Sequence, residues 1–395
     1  MLLALRLGLY QLRYLERVPT HAAVSESVEM VKRAKKHSAA PLVNAVLRRA
    51  ARDANISGDA LTKMLPAGCS PAERLAILNS HPTWLVDRWM TTYGPENTLS
   101  LLEANNRPPR LCCAVLDATE TNAVADSLRQ AGLEVSPSRW LHSALTISGA
   151  NPTSVTAFQQ GRISLQDEAS QMVARLVDAR PGQTVLDLCA APGGKTILLA
   201  RALGPEGRVI ATDLHEHRLR STRDQMTRTH TGNVQLLALD ASRPLPFAQS
   251  FERILVDAPC SGSGTLGRNP EIRWRLRLED LVESHQQQVA MLRNALDALA
   301  PGGRLVYSTC SLEPEENEQV VAEAISGERK ETHLEGQSWS EEFHVVEGTV
   351  ALAQHLRPGV SPNALFDSHG YFRTFPPTSG TDGFFAAAIE RKSPR

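Results

Sequence analysis

From Thr184 onward, five short apolar runs alternate with stretches of helical periodicity: VLDL (185–188), RVIATD (208–213), VQLLALD (234–240), RILVDAP (253–259) and RLVYSTC (304–310). No other feature constrains the fold as strongly. Strands too apolar to face water on either side, joined by helix-length connections, form a parallel sheet covered on both faces. The segment therefore predicts an α/β domain with a doubly wound, Rossmann-like sheet. A helix over Leu278–Ala300 is expected to stop at Pro301-Gly302-Gly303, and GFFAAAIERK (383–392) reads as one more strand.

Upstream the rhythm differs. Met1 to Leu75 places apolar residues at helical spacing (Leu5, Leu9, Leu12, Leu15) with breaks at Pro19 and Pro41, which predicts an all-helical unit. Between His81 and Ser164, helical HPTWLVDRWMTTYG precedes candidate strands at Cys112–Leu116 and Leu145–Ser148, with a helix over Thr121–Gly132 between them, so a small α/β module is expected. The expected domains are thus 1–75, 76–164 and 165–395. The opening MLLALRLGLYQLRYLERV is broken by Arg6, Gln11 and Arg13 and is followed by no small-residue cleavage site, so it reads as an amphipathic helix rather than a signal peptide. No apolar run is long enough to span a bilayer.

The net charge of −1 points to no particular partner, but its distribution is uneven: 15 Lys/Arg against 9 Asp/Glu in residues 1–110, and 27 against 34 in the remainder. A basic N-terminal part on an acidic body fits a polyanion-binding attachment, or a plain solvated face. Cysteines 69, 112, 113, 189, 260 and 310 form no CxxC pair and no metal-ligand spacing, so neither a disulfide framework nor a metal site is expected, and the setting is a reducing cytoplasm.

Ligands of open α/β sheets bind beyond the carboxyl ends of the strands. The first such end carries DLCAAPGGKT (187–196), where Gly193 and Gly194 would let the backbone approach a ligand. It is neither a P-loop, which would need glycine at Cys189, nor the dinucleotide fingerprint GxGxxG. Asp187, Asp213 and Asp240 close three successive strands. Acidic ends suit ribose hydroxyls and a cationic sulfonium better than a pyrophosphate, which favours S-adenosylmethionine over NAD. Acidic helix caps are the plainer alternative for each carboxylate.

The fourth strand ends in Asp257-Ala-Pro-Cys260 and the fifth in Ser308-Thr-Cys310, placing two cysteines beside the same expected site. Alone, a buried cysteine is usually a small core hydrophobe. Paired at polar strand ends, they suit pyrimidine chemistry. Carbon 5 of the ring is too weakly nucleophilic to take a methyl group until a thiolate adds at carbon 6. A carboxylic acid to hold the ring nitrogen and a second base to remove the carbon-5 proton complete the set. Just beyond, Arg268, Arg273, Arg275 and Arg277 interleave with Trp274 and are expected to contact phosphates and stack on bases, although some could instead cap or salt-bridge the next helix.

These motifs resemble one family, the RNA 5-methylcytosine methyltransferases of the bacterial ribosomal RNA small subunit methyltransferase B (Sun/Fmu) type. DLCAAPGGKT, DAPCSGSGTLGRNPEIRW (257–274) and YSTCSLEPEEN (307–317) carry the likeness, with QDEASQ (166–171) and TDGFFAA (381–387) as further signatures. The resemblance implies methylation of carbon 5 of a cytosine in RNA, specifically 16S ribosomal RNA, through a bond from Cys310 to carbon 6. It assigns Cys260 to proton removal and product release, and Lys195 and Asp257 to the cytosine. It places S-adenosylmethionine against Cys189, Ala190, Ala191, Pro192, Gly193, Gly194 and Lys195, and against Asp213, Arg218, Asp240 and Asp257. VPTHAAVSESVEMVKRAK and PLVNAVLRRA are similar to the latter part of a NusB-like RNA-binding domain, so a shortened version of that domain is implied. A monomer acting on RNA, without membrane or metal, is expected. The rival readings are a DNA cytosine-5 methyltransferase, whose nucleophile would be Cys260, and a non-catalytic RNA-binding factor, which would not bind S-adenosylmethionine.

Overall fold

Helices over Leu2–Tyr14 (α1), Thr20–Arg33 (α2), Ala40–Arg52 (α3) and Pro71–Asn79 (α4) build the first of two compact units, Met1–Thr83. The computed structural model describes residues 1–53, 62, 65–327 and 338–393; the part of the expected helical unit at 54–61 and 63–64 lies outside the described residues. Pro19 precedes α2 and Pro41 occupies the first turn of α3, where a missing N–H costs nothing. Ser70 and Glu73 form a reciprocal capping box on α4. Ala4, Val24, Val31, Val43 and Leu47 make the small core. α1 departs from the expected amphipathic pattern: besides this inner face it carries an exposed stripe of Leu3, Leu7, Tyr10 and Tyr14.

The second unit, Trp84–Arg395, continues α5 (Thr83–Tyr93) and α6 (Pro95–Asn105) into a four-stranded antiparallel sheet. Its strands are β1 (Leu111–Val115), β2 (Leu133–Pro137), β3 (Ala144–Gly149) and β4 (Ile163–Leu165), in the order β2-β3-β1-β4. α7 (Thr121–Gln130) covers one face, packing Val124 and Leu128 on Cys113, Leu145 and Ile147. β1 and β3 are the two apolar runs legible in the sequence. β2 is mostly exposed and β4 has only three residues, too little for a period-2 signal.

The larger sheet has the order β10-β12-β9-β8-β5-β6-β7, with β11 (Phe372–Thr374) also on β12. Its parallel part is β5 (Thr184–Leu188), β6 (Arg208–Asp213), β7 (Val234–Ala238), β8 (Phe251–Asp257) and β9 (Leu299–Thr309). β12 (Phe384–Arg391), the expected last strand, runs antiparallel beside β9, and β10 (Phe343–Val346) follows it. One face buries Val185, Leu255 and Val306 against α8 (Glu168–Leu176) and α9 (Gly194–Leu203); the other buries Leu186, Ile254 and Leu305 against α11 (Leu278–Asp297). Each such side chain contributes about 1.5–3 kcal/mol by leaving water. α10 (Glu216–Arg228) joins β6 to β7. α11 ends at Asp297, before the expected stop at Pro301: β9 already begins at Leu299, and Pro301-Gly302-Gly303 form its irregular start, where its register with β8 shifts. The chain runs outward from β5 to β7 and then returns to β8 on the other side of β5. The switch point of the sheet therefore lies between β5 and β8, and their loops face one crevice.

Candidate active site

The turn after β5 is shaped by internal contacts. Cys189 takes a positive φ of 62°, Ala190 N–H donates to Thr212 O at 2.7 Å, and Gly193, at φ 100°, starts α9. A Cβ on Gly193 would stand 2.9 Å from both Thr222 and Met226 on α10, so packing and a positive φ already demand glycine here. Asp187 likewise turns inward. It is fully buried, accepts the Thr196 hydroxyl of α9 at 2.6 Å, and burial pushes its carboxyl up to about 7. Burial also raises the Cys189 thiol. Arg218 ties the turn to β6, donating to Ala191 O at 3.1 Å and pairing with Asp213 at 3.1 Å. Asp213 is buried; its Oδ1 accepts from His215 N, while its Oδ2 has no aligned hydrogen-bond donor among the described residues. Asp240 lies two residues beyond β7, accepts from Ser242 and pairs with Arg243; the Ser242 hydroxyl, first of all, lowers its carboxyl.

Across the switch point the ends of β8 and β9 meet. Cys260 Sγ and Cys310 Sγ are 3.4 Å apart. The Cys260 thiol is held well above its ordinary range, first by its hydrogen bond with Cys310 and then by burial. Lys195 Nζ donates to Asp257 Oδ2 at 2.7 Å and sits 5.1 Å over the Phe384 ring, while Ser308 Oγ donates to Asp257 Oδ1 at 2.8 Å. Asp257 is thereby fixed from two sides with the Lys195 ammonium against it, at the base of the cysteine pair. Gly264 N–H donates to Cys310 O and Gly383 N–H to Gly264 O; a Cβ on Gly264 would fall 2.1 Å from Gly383 O, so TDGFFAA meets the cysteine loop backbone to backbone.

The segment after Cys310 is buried although it is acidic. Glu313 is 0% exposed, accepts from Trp89 Nε1 at 3.0 Å and from Arg88, and burial raises its carboxyl; Arg88 also binds Glu315, and the Tyr93 hydroxyl donates to Leu312 O. One face of α5 therefore grips the loop that carries Cys310. Sequence reasoning recognised the acidic run as a signature but missed this grip, and it missed Ser308. The signal available was a run of carboxylates next to a nucleophile with no basic residue in the run, which demands cations from elsewhere.

The arginine cluster divides. Arg273, expected at the RNA, is 4% exposed and donates to Asn106 Oδ1 at 2.8 Å and Asn105 O at 3.1 Å. Arg268 is bound by Asp382 at 2.8 Å, Asp167 at 2.9 Å and Arg110 O at 2.8 Å, and burial pushes Asp382 up to about 7. Both are internal fasteners, because their guanidinium groups already have internal acceptors. Arg275 and Arg277 are exposed beside Trp274, which is 64% exposed.

A Rossmann-like sheet whose switch point gathers a glycine-bearing turn, a Lys–Asp pair and two cysteines defines a methyltransferase-type catalytic domain. The chain belongs to the 16S rRNA methyltransferase RsmB/F family, whose profile matches residues 174–390, and it is an rRNA methyltransferase. Profiles of the NusB family and of the ferredoxin-like domain of RsmF/B-like methyltransferases match residues 1–52 and 81–154. The probable ribosomal RNA small subunit methyltransferase B of Bacillus subtilis (strain 168) is 33% identical over 391 residues, covering 98% of this chain and 82% of that protein. The Pseudomonas syringae pv. tomato ribosomal RNA small subunit methyltransferase B is 36% identical, covering 80% and 69%. Among solved structures, PH0851 superposes with a TM-score of 0.77 at 28% identity over 98% of this chain and 81% of that one.

Proposed function

We propose that this rRNA methyltransferase transfers the methyl group of S-adenosylmethionine to carbon 5 of a cytosine in 16S rRNA, through a covalent adduct with Cys310. The observation that carries the reading is the pair of cysteine sulfurs 3.4 Å apart beside the Lys195–Asp257 pair. Cys310 thiolate adds to carbon 6, forming the S–C bond while the C5=C6 electron pair moves onto carbon 5. As negative charge develops on the ring, a proton passes from the Lys195 ammonium through Asp257 to the ring nitrogen, and Asp257 accepts a hydrogen bond from the exocyclic amine; the proton returns by the same route when the adduct breaks down. Carbon 5 takes the methyl group as the sulfur–methyl bond breaks, its electron pair staying on sulfur in the departing S-adenosylhomocysteine. Cys260 then assists removal of the carbon-5 proton, the pair returns to C5=C6, and the S–C6 bond breaks to release Cys310. Trp274, Arg275 and Arg277 remain candidates for contact with the incoming strand.

S-adenosylmethionine supplies, when bound, an electrophilic methyl group on a cationic sulfur. The residues present fit it. Asp213 Oδ2 is a buried acceptor, ion-paired with Arg218 at 3.1 Å and with lone-pair capacity left for a donor such as a ribose hydroxyl, Asp240 stands at the neighbouring strand end for the adenine, and Cys189–Lys195 with Asp257 form the rest of the rim. Asp213→Ala is expected to weaken S-adenosylmethionine binding by about 1.5–3 kcal/mol, the value of a hydrogen bond to a charged group, as read by calorimetry. The function is tested by incubating the protein with methyl-labelled S-adenosylmethionine and a 16S rRNA transcript, then digesting to nucleosides. Label is expected in 5-methylcytidine; label in any other nucleoside overturns the assignment.

A further inference from the structure

Two loops must hold their sulfurs in register, and the hydrogen bonds that do so converge on one carboxylate that the mechanism above does not use. Glu316, 0% exposed, sits six residues after Cys310, in the turn Pro314–Glu316. Its Oε1 accepts from Ser261 N–H at 2.8 Å and from Gln288 Nε2 at 3.3 Å, and its Oε2 accepts the Ser261 hydroxyl. Gln288 Nε2 also donates to Pro259 O at 2.8 Å. Residues 259 and 261, the two neighbours of Cys260, are therefore both fastened to this group, one directly and one through Gln288. The carboxylate's own backbone is fixed in turn, since Tyr307 Oη donates to Glu316 O at 2.7 Å from within β9. Next to it, Asn317 Oδ1 accepts the Thr309 hydroxyl at 2.5 Å and Asn317 Nδ2 donates to Ser311 O at 3.0 Å, which fastens both neighbours of Cys310. A hydroxyl contact of 3.1 Å between Ser261 and Ser311 joins the two sets.

We propose that Glu316 is a positioning residue that sets the place of Cys260 relative to Cys310, and so governs release of the methylated product rather than attack. The argument is one of numbers of donors. Three N–H and O–H groups around Cys260 end on this side chain, and no cation pairs with it among the described residues. A buried carboxylate left to backbone and hydroxyl donors is costly to desolvate and is satisfied only where several donors are arranged to meet it. Removing it frees Ser261 N–H and takes from Gln288 the acceptor that it shares with Pro259 O, while Cys310 keeps its own fastenings through Thr309, Ser311 and Asn317. Its negative charge is also one of the influences that keep the Cys260 thiol protonated, after Cys310 itself and burial.

The proposal rests on the two-cysteine reading, and the test separates them. Wild type, Cys260→Ala, Glu316→Ala and Glu316→Gln are compared for turnover, for RNA adduct on a denaturing gel, and for bridging of Cys260 and Cys310 by a short bis-alkylating reagent without RNA. Glu316→Ala is expected to reproduce the persistent adduct of Cys260→Ala, to turn over about ten- to a hundredfold more slowly with unchanged KM for RNA, and to lose bridging. Glu316→Gln keeps an acceptor for Ser261 N–H and is expected to recover most of the bridging. Adduct in Cys260→Ala, but wild-type turnover and bridging in Glu316→Ala, would overturn the positioning role alone. Absence of adduct in Cys260→Ala would instead overturn the cysteine reading, and bridging still reports on Glu316. If Glu316→Ala does not fold, Ser261→Ala, which removes only the hydroxyl donor, must show a smaller loss of the same kind; unchanged bridging there counts against the proposal.

Discussion

Cys310→Ala is expected to abolish both methyl transfer and any covalent protein–RNA complex, because without the thiolate at carbon 6 the ring never becomes nucleophilic at carbon 5. Cys260→Ala is expected to behave in the opposite way on a denaturing gel. Attack and methylation proceed, the carbon-5 proton leaves slowly, and methylated RNA stays attached through Cys310. The two thiols are 3.4 Å apart, so proximity alone does not rank them, and the pair of variants is what does. The contact with Cys310 first, and burial second, hold the Cys260 thiol above its ordinary range. Adduct lost in Cys260→Ala and retained in Cys310→Ala would reverse the roles and return the DNA-type reading.

Asp257→Asn is expected to lower turnover by about 10²–10⁴-fold, the usual worth of a positioned acid or base, with a much smaller change in KM for RNA. Asparagine still accepts the Ser308 hydroxyl but carries no charge to hold the Lys195 ammonium and cannot relay its proton to the ring nitrogen. Because the charge is no longer relieved at the ring, adduct formation itself should slow. Pre-steady-state gels then distinguish this variant, which forms adduct slowly, from Cys260→Ala, which forms it and keeps it. Adduct formation at the wild-type rate in Asp257→Asn would remove Asp257 from the attack step.

The strands of the parallel sheet were legible because each is a run of apolar residues closed by a chemically distinctive end, and the same runs located the loops bearing Asp213, Asp257, Cys260 and Cys310. Long-range polar contacts were not legible. Arg268 and Arg273 look like surface cations when read along the chain, since Asp382, Asp167 and Asn106 lie more than a hundred positions away. Glycine was ambiguous for a related reason: Gly193 satisfies a φ of 100° and a helix contact, and nothing in the letters distinguishes that need from a ligand's. The surroundings of Asp187 were not legible because a strand-end carboxylate can turn either way, and its partner Thr196 donates from within the following helix. Polar β2 and three-residue β4 gave no periodicity to detect.

The grip of α5 on the acidic segment after Cys310 makes the catalytic region incomplete in itself. Arg88, Trp89 and Tyr93 lie outside the span matched by the catalytic profile, yet they hold the Glu313 carboxylate and the Leu312 carbonyl. A fragment trimmed to that span would lose the guanidinium of Arg88 and the indole N–H of Trp89 from the Glu313 carboxyl and uncover the loop that carries the nucleophile. The helix and the loop are therefore a single heritable part: a change at Arg88 or Trp89 is felt at Glu313, and a chimera that takes the sheet from one relative must take the helix with it.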